Sequence, residues 1–351
     1  MAKVTIREVA EMAGVSIATV SNVLSGRKAV TADLASRVNE AAQALSYQMD
    51  RAASQLRSGR AQVVGVLVPN FNDTFFTSLV SRIEQLAAAV SYQVIVVSSQ
   101  DDTTVEAARL DALMGWRPSG IIAVPATNTV PQLLRREFEN LPVILVDRVG
   151  QDDLAVDTIT VDNHAAGWSA AQHLLDNGHR CIAIASSVSA FRPIQDRIRG
   201  VTDCCASRNA PAPQVIEVGI NHESGAEVLC DWLDTNSHPT AIIAMTNVTT
   251  LASLSALARR AIEIPDAISL IGFDDYTWMT ARKVPLTAVR QPIDQIADRT
   301  WARLMSRIQG SAEAPENIVL VASLQVRNSV ATLALAGKEG PAALAGAGRT
   351  R

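Results

Sequence analysis

The sequence predicts a small all-helical domain followed by an α/β body built as two lobes. Three observations predict it. The stretch Val4–Leu24, VTIREVAEMAGVSIATVSNVL, holds two helix starts of the same design, at Thr5 and Ser16. From Val63 the apolar runs VVGVLVP, VIVVS, GIIAVPA, VILVD, CIAIAS, AIIAM and ISLIGFDD alternate with amphipathic segments. At 351 residues the chain is too long for one ordinary domain and allows two or three.

In the first helix Thr5 is the cap, Glu8 closes a capping box, and Val4 and Val9 are spaced as a hydrophobic staple. Gly14 stops this helix as a left-handed residue. Ser16 caps the second helix, with Val15 and Val20 as its staple. Two short helices joined through a glycine make a helix-turn-helix, whose second helix enters the DNA major groove; an ordinary helical hairpin in a core is the structural alternative. A third helix, capped by Thr31, carries Leu34, Val38, Ala41, Ala42 and Leu45 at helical spacing and closes over Ile6, Val9, Val20 and Leu24. A core of this size is marginally stable. Residues 1–48 are therefore read as a DNA-binding headpiece.

Residues 49–60 lie in SYQMDRAASQLRSGRAQ, where Asp50 can cap a short helix carrying Ala53 and Leu56 on one side. So short a helix does not hold alone in water, so it is read as a linker whose order depends on a partner. An exposed Leu56 between arginines suits an apolar wedge flanked by phosphate contacts; packing back onto the body is the alternative.

Residues 61–330 form the body. Continuous apolar strands interleaved with amphipathic helices mean parallel sheets covered on both faces, and so many elements exceed one small sheet. The change of lobe is expected near TITVDNHAAG and the return near PLTAVRQP. A cleft at the carboxyl ends of the strands is the usual place for a small ligand. Residues 331–351 are an Ala/Gly-rich tail without a leucine heptad, expected to be loosely ordered.

Composition narrows the function. Net charge is −4, but residues 1–60 carry +3 and the remainder −7, which suits local phosphate contact without general adhesion to nucleic acid. The start MAKVTIREVA lacks a signal-peptide core, and no apolar run approaches a bilayer span, so a cytoplasmic protein is expected. Cys181, Cys204, Cys205 and Cys230 form no CxxC pair and read as small core residues; a redox role for the vicinal pair is the alternative. The histidines show no metal spacing, so neither a metal nor a cofactor is expected. GxSxG, Walker and GxGxxG motifs and a Cys/His nucleophile arrangement are absent, so no catalytic residue is assigned and an enzyme is disfavoured. A transporter's solute-binding protein would need an export signal and no basic headpiece.

The candidate DNA-contacting residues are Thr5, Ser16, Ile17, Ala18, Thr19, Ser21, Asn22 and Leu56. Ile17 and Ala18 can make only apolar contacts, for example with thymine methyls, whereas Asn22 can pair with adenine or contact a phosphate. The hydroxyls of Ser16, Thr19 and Ser21 suit phosphate oxygens. Phe75 and Phe76 adjoin at a helix start and cannot both face one core. Phe75 is therefore read as a stacking surface for a sugar or other ring, with Phe76 either beside it or in the core.

The stretch TIREVAEMAGVSIATVSNVL resembles the headpiece of the lactose-repressor (LacI) family of bacterial transcription regulators. VLVPNFNDTFFTSLVSRIE, VDNHAAGWSAAQHLLDNGHR, DRIRG, IEIPDAISLIGFDD, PLTAVRQP and VRNS carry the resemblance through to about residue 330. It implies a two-lobed body of the type 1 periplasmic-binding-protein-like class. It also implies a homodimeric repressor on a pseudo-palindromic operator, controlled by a small effector between the lobes, either inducer or corepressor. Ile17, Ala18 and Asn22 match positions that set operator preference. Residues 49–60 match the hinge helix, and Leu56 matches the leucine that pries a base step apart; Asp50 stands where Asn is commoner. Arg197 matches the arginine that reaches ligand hydroxyls or carboxylate, and Asp274 the ligand-binding aspartate. Asp147 and Arg148, at the end of VILVDR, are expected to join them or to form a local salt bridge, and Trp278 to form an aromatic wall. Thr246 and Asn247 replace the usual Asn-Asp pair, removing a negative charge. With Arg148, Arg192 and Arg197 nearby, this leaves room for a sugar acid or sugar phosphate beside neutral sugars; a purine or nucleoside corepressor, or no effector, is the alternative.

Overall fold

The computed structural model describes residues 4–25, 30–47, 62–150, 156–236 and 238–333. Leu56, Asp50, the 49–60 linker and nearly all of the tail lie outside them. The chain divides into two compact units, Met1–Gln62 and Val63–Arg351.

The first unit holds α1 (Ile6–Ala13), α2 (Ile17–Ser25) and α3 (Ala32–Ala44). Val9, Ala13, Val20, Val38 and Ala41 are its buried centre, with Ile6, Val15, Leu24 and Leu45 half-buried around it. Small alanines at the contacts let three short helices approach closely. Gly14, at φ 62°, ends α1, and the Val15 N–H returns to the Ala10 carbonyl at 3.0 Å. Arg37 of α3 donates to the Ala13 carbonyl at 2.6 Å, satisfying a helix-end acceptor across the core. Thr31 stands at the N-cap of α3, but its side chain makes no capping bond.

In the second unit the strands are β1 (Val63–Val68), β2 (Gln93–Ser98), β3 (Gly120–Ala123), β4 (Val143–Val146), β5 (Asp157–Val161) and β6 (Ile182–Ser186). They continue as β7 (Gln214–Glu217), β8 (Ala241–Ala244), β9 (Ser269–Phe273), β10 (Thr287–Arg290), β11 (Asn317–Leu320) and β12 (Ser323–Gln325). The helices are α4 (Thr74–Ala89), α5 (Thr103–Met114), α6 (Gln132–Glu137), α7 (Asn163–Asp176), α8 (Arg192–Ser207), α9 (His222–Thr235), α10 (Asn247–Arg259), α11 (Thr277–Thr280) and α12 (Ile293–Ile308).

Two six-stranded sheets result, ordered β11-β5-β4-β3-β1-β2 and β12-β10-β9-β8-β6-β7. Every pairing is parallel except β10 with β12. Each sheet is covered on both faces. Val64, Val66 and Val68 enter one core of the first lobe, while Leu67 enters the other. That alternation is why these strands read as unbroken apolar runs.

The chain crosses between lobes in the two stretches expected, after β5 and after β10, and α12 returns to the first-lobe core. A third crossing, between Leu320 and Ser323, was not expected. It takes β12 back to the second sheet as its edge strand, and Ala322 packs against cores of both lobes. The first and third crossings are tied together where the Asp162 N–H meets the Leu320 carbonyl at 2.8 Å. In the first lobe Asp157 binds Arg303 and Arg307 of α12, each at 2.7 Å. Burial alone would raise its carboxyl, but the Arg307 and Arg303 bonds and the Glu316 N–H outweigh burial and hold it below its usual value.

Cys204, Cys205 and Cys230 are buried, whereas Cys181 is exposed at the start of β6. The expected core role therefore fails for Cys181, because it precedes the first residue covered by both faces.

Candidate functional site

In the headpiece, Ser16, Ile17 and Ala18 are exposed together at the start of α2, while Val20 is fully buried and anchors the helix. Ile17 is 39% exposed, and Met12 of α1, which the sequence reading passed over, is 57% exposed. The Ser16 hydroxyl accepts the Thr19 N–H at 3.1 Å and pairs with the Thr19 hydroxyl at 2.9 Å. Ser16 thus caps α2, and the Thr19 hydroxyl is already engaged within the protein. Ser21 and Asn22 are half-buried. Thr5 is exposed, and Glu8 accepts both its N–H at 2.6 Å and its hydroxyl at 2.9 Å. The backbone bond first, then the hydroxyl, holds the Glu8 carboxyl below its usual value.

In the body, a recess between the lobes is bounded by strand ends and by helix starts. Its space amounts to about 610 Å³, the open mouth included. Phe75, Phe76, Asp147, Arg148, Arg197, Thr246 and Asp274, expected from the sequence, all line it. Two expected residues do not. Trp278 packs against the second-lobe core beside Tyr276, because α11 turns it away from the recess. Asn247 acts on the site indirectly: its backbone N–H donates to Asp274 at 3.0 Å.

The two phenylalanines behave otherwise than expected. Both are buried in the same first-lobe core, edge to face with centroids 5.3 Å apart, and both reach the recess wall. The edge-to-face angle of 77° lets two neighbours on one helix turn fill one core.

Asp147 and Asp274 occupy equivalent places. Each follows the third strand of its sheet order, β4 or β9, and each adopts a positive φ, 63° and 79°. Non-glycine residues held there are strained, and such strain gathers at functional sites. Asp274 is buried, fixed by Gln291 at 2.6 Å and by the Asn247 N–H. Burial raises its carboxyl, with Arg197 opposing. Half-buried Asp147 is also raised by desolvation, against Arg197 and then Arg148.

Arg197 is almost wholly buried over the Phe273 ring, 4.2 Å from its centroid. It donates to Asn163 at 2.8 Å and to the Met245 carbonyl at 2.5 Å, leaving other N–H groups of its fork for a ligand. Its placement depends on α7 and α8 touching backbone to backbone. A Cβ on Gly167 would lie 2.0 Å from the Arg197 carbonyl oxygen, and one on Gly200 2.0 Å from that of His164.

Arg148 pairs with Asp101 instead of forming the local salt bridge with Asp147 that was the alternative expectation. It bonds Asp101 at 2.5 Å as a buried ion pair and the Ala126 carbonyl at 3.0 Å. Its guanidinium stacks 3.8 Å from the centroid of Phe191, which belongs to the other lobe. Arg192 pairs with Asp196 at 2.7 Å and does not line this recess.

Sequence reasoning missed Asp73, Asn70, Phe191 and Gln291 on the recess wall. Asp73 caps α4, accepting the Phe75 N–H at 3.0 Å. Desolvation, then the nearby Asp274, pushes its carboxyl up to about 7. The capping pattern DTFF was visible in the sequence, but nothing local announced that the cap would face Asp274. These charges bear on the sugar acid or sugar phosphate for which the sequence left room. Two of the three arginines have carboxylate partners, and a third acid joins Asp147 and Asp274.

Residues 5–50 match the family described as bacterial regulatory proteins, lacI family, and residues 171–330 match a periplasmic binding protein-like domain. The chain is 28% identical over 336 residues to the HTH-type transcriptional regulator DegA of Bacillus subtilis (strain 168), covering 94% of this chain and 99% of that one. It is 29% identical over 332 residues to the HTH-type transcriptional repressor PurR of Histophilus somni (strain 2336), with the same coverage. Among solved structures it resembles the Lac repressor dimer bound to operator and the anti-inducer ONPF. That TM-score is 0.83 at 23% identity, over 94% of this chain and 100% of that one. A LacI family regulator from Enterococcus faecium with bound ribose gives 0.70 at 23% identity, over 78% and 100%. No described helix is long and apolar enough to cross a membrane.

Proposed function

The chain belongs to the LacI family of bacterial DNA-binding transcription regulators, and on that premise we propose that it is a cytoplasmic, non-enzymatic repressor. It acts as a homodimer on a pseudo-palindromic operator, since one headpiece reads one half-site. A small polyhydroxylated effector in the recess sets its operator affinity. The observation that carries this reading is the composition of the recess wall. Arg197, Asn70 and Gln291 stand beside Asp147 and Asp274 and the two phenylalanines. Fixed donors, fixed acceptors and an apolar face together suit a molecule that offers hydroxyls on both faces and carbon edges.

The effector shifts the balance between lobe arrangements, and a coupling of about 1–3 kcal/mol changes operator affinity about five- to 150-fold. On the DNA side, Ile17 and Ala18 make apolar base contacts, Asn22 reads a base edge or a phosphate, and Ser16 and Ser21 contact phosphates. Leu56 is the proposed minor-groove wedge. The test is operator binding by the purified protein, with and without a panel of sugars, sugar acids, polyols, sugar phosphates and nucleosides. A compound that changes operator affinity in the native protein but not in Arg197→Ala or Asp274→Ala is the expected result. Equal responses in both variants would place the effector elsewhere.

A further inference from the structure

Resting on the polyol reading above, we infer that the effector also carries a protonated amine, making it an amino sugar or similar amino-polyol. The recess wall brings Asp73, Asp147 and Asp274 together from α4 and from the ends of β4 and β9. Of its two arginines, Arg148 is neutralised by Asp101 in a buried pair. Three carboxylates therefore face the single guanidinium of Arg197.

A second observation points the same way. Gln291 lines the recess and is 5% exposed, and its amide oxygen has no hydrogen-bond partner while its nitrogen is spent on Asp274. A buried acceptor without a donor is costly and calls for one from a ligand. The wall thus offers surplus negative charge and an orphaned acceptor. A sugar acid can satisfy the acceptor with a hydroxyl but adds to the surplus negative charge, and a neutral sugar leaves that charge uncompensated. Among the described residues, these acids do not form a group able to hold a metal ion. An ammonium group supplies three donors and the missing charge at once.

Without such a ligand a proton does part of that work. Desolvation and Asp274 hold the Asp73 carboxyl at about 7, with Asp147 raising it further and Arg197 opposing. An ammonium ligand needs Asp73 ionised, so it displaces this proton and binds more weakly as pH falls from 7.5 to 6. A neutral sugar, able to accept a bond from protonated Asp73, shows no such loss.

The experiment is calorimetric titration of the full chain with matched trios: glucosamine, glucose and glucuronic acid, and the galacto and manno counterparts. At pH 7 the amine of a binding trio is expected to exceed its parent and its acid by about tenfold or more, the gap between charge-assisted and neutral hydrogen bonds. That advantage should shrink in Asp73→Asn, which keeps a capping oxygen and removes the charge. Thermal melts of the variant confirm that it folds. A parent sugar or acid that binds as tightly as its amine overturns the inference and leaves the polyol reading standing. Failure of all nine compounds overturns both.

Discussion

Replacing Gly167 by alanine sets two effects of opposite sign against each other. In an exposed helix interior the change stabilises by about 0.8–1 kcal/mol, because glycine is the poorer helix former. Here the new methyl would sit 2.0 Å from the Arg197 carbonyl oxygen and 2.8 Å from its carbonyl carbon. Real Cβ atoms essentially never come within 3.0 Å of another heavy atom, so α7 and α8 must part by about 1 Å. The obstacle is backbone and cannot rotate away. The cost therefore lies near the upper end of the ~1–3 kcal/mol for overpacking, leaving a net loss of about 2 kcal/mol. For a body of this size that is a fall in Tm of about 4–8 °C. Arg197 sits at the contact, so its bonds to Asn163 and to the Met245 carbonyl, 2.8 and 2.5 Å, also loosen. Effector affinity should then fall with stability. Thermal melts and urea unfolding, followed by the adjacent Trp168, measure the first effect, and ligand titration the second. Gly200→Ala should behave alike, since its Cβ would meet the His164 carbonyl oxygen at 2.0 Å. One separation of the helices relieves both clashes, so the double variant should lose less than the sum of the singles. A Gly167→Ala protein as stable as the native one would refute the close approach and the route by which it aims Arg197.

Three further outcomes are expected. The native carboxyl of Asp73 takes its proton near 7, while an unfolded aspartate does so near ~3.9, so the folded state binds more protons in between. Its contribution to stability therefore falls as pH rises from about 4 to about 7, by at most ~1.4 kcal/mol per pH unit and less for a half-buried group that water reaches. Asp73→Asn should gain on the native protein between pH 5 and 8 in urea unfolding. Half-buried His173 and buried His179 act equally on both proteins and cancel, and parallel curves would count against the carboxylate cluster. Asp157→Asn keeps the shape but removes the charge that holds Arg303 and Arg307, and should cost about 3 kcal/mol at pH 7. Because that carboxyl lies below its unfolded value of ~3.9, the stability it contributes is lost as pH falls through its lowered native value, where native and variant curves should converge. For the proposed DNA face, Asn22→Ala should relax preference at one base pair of each half-site by about 1–3 kcal/mol, read as competition between operator variants. A uniform loss across all variants would make Asn22 a phosphate contact instead.

What the sequence alone determined was local or periodic. The capping box at Thr5 and Glu8, the stop at Gly14 and the cap at Ser16 lie within one turn of the backbone they govern. The headpiece could therefore be read without knowing what it packs against. Unbroken apolar strands between amphipathic helices likewise announced two covered sheets, and VILVD and GFDD marked Asp147 and Asp274 as strand ends. Only the tertiary structure decided which charges meet. Asp73 looked like an ordinary cap until the lobes set it against Asp274, and Arg148 found its carboxylate in Asp101 rather than in its neighbour. Phe75 and Phe76 share a core because their rings stand nearly perpendicular, a matter of side-chain angle that adjacency does not reveal. The strand Ser323–Gln325 was missed for the same kind of reason: it is short, half-exposed and paired on one edge, so no apolar period marks it. Charge balance in the recess is a sum over residues brought together from distant parts of the chain, and it exists only once the two lobes are placed.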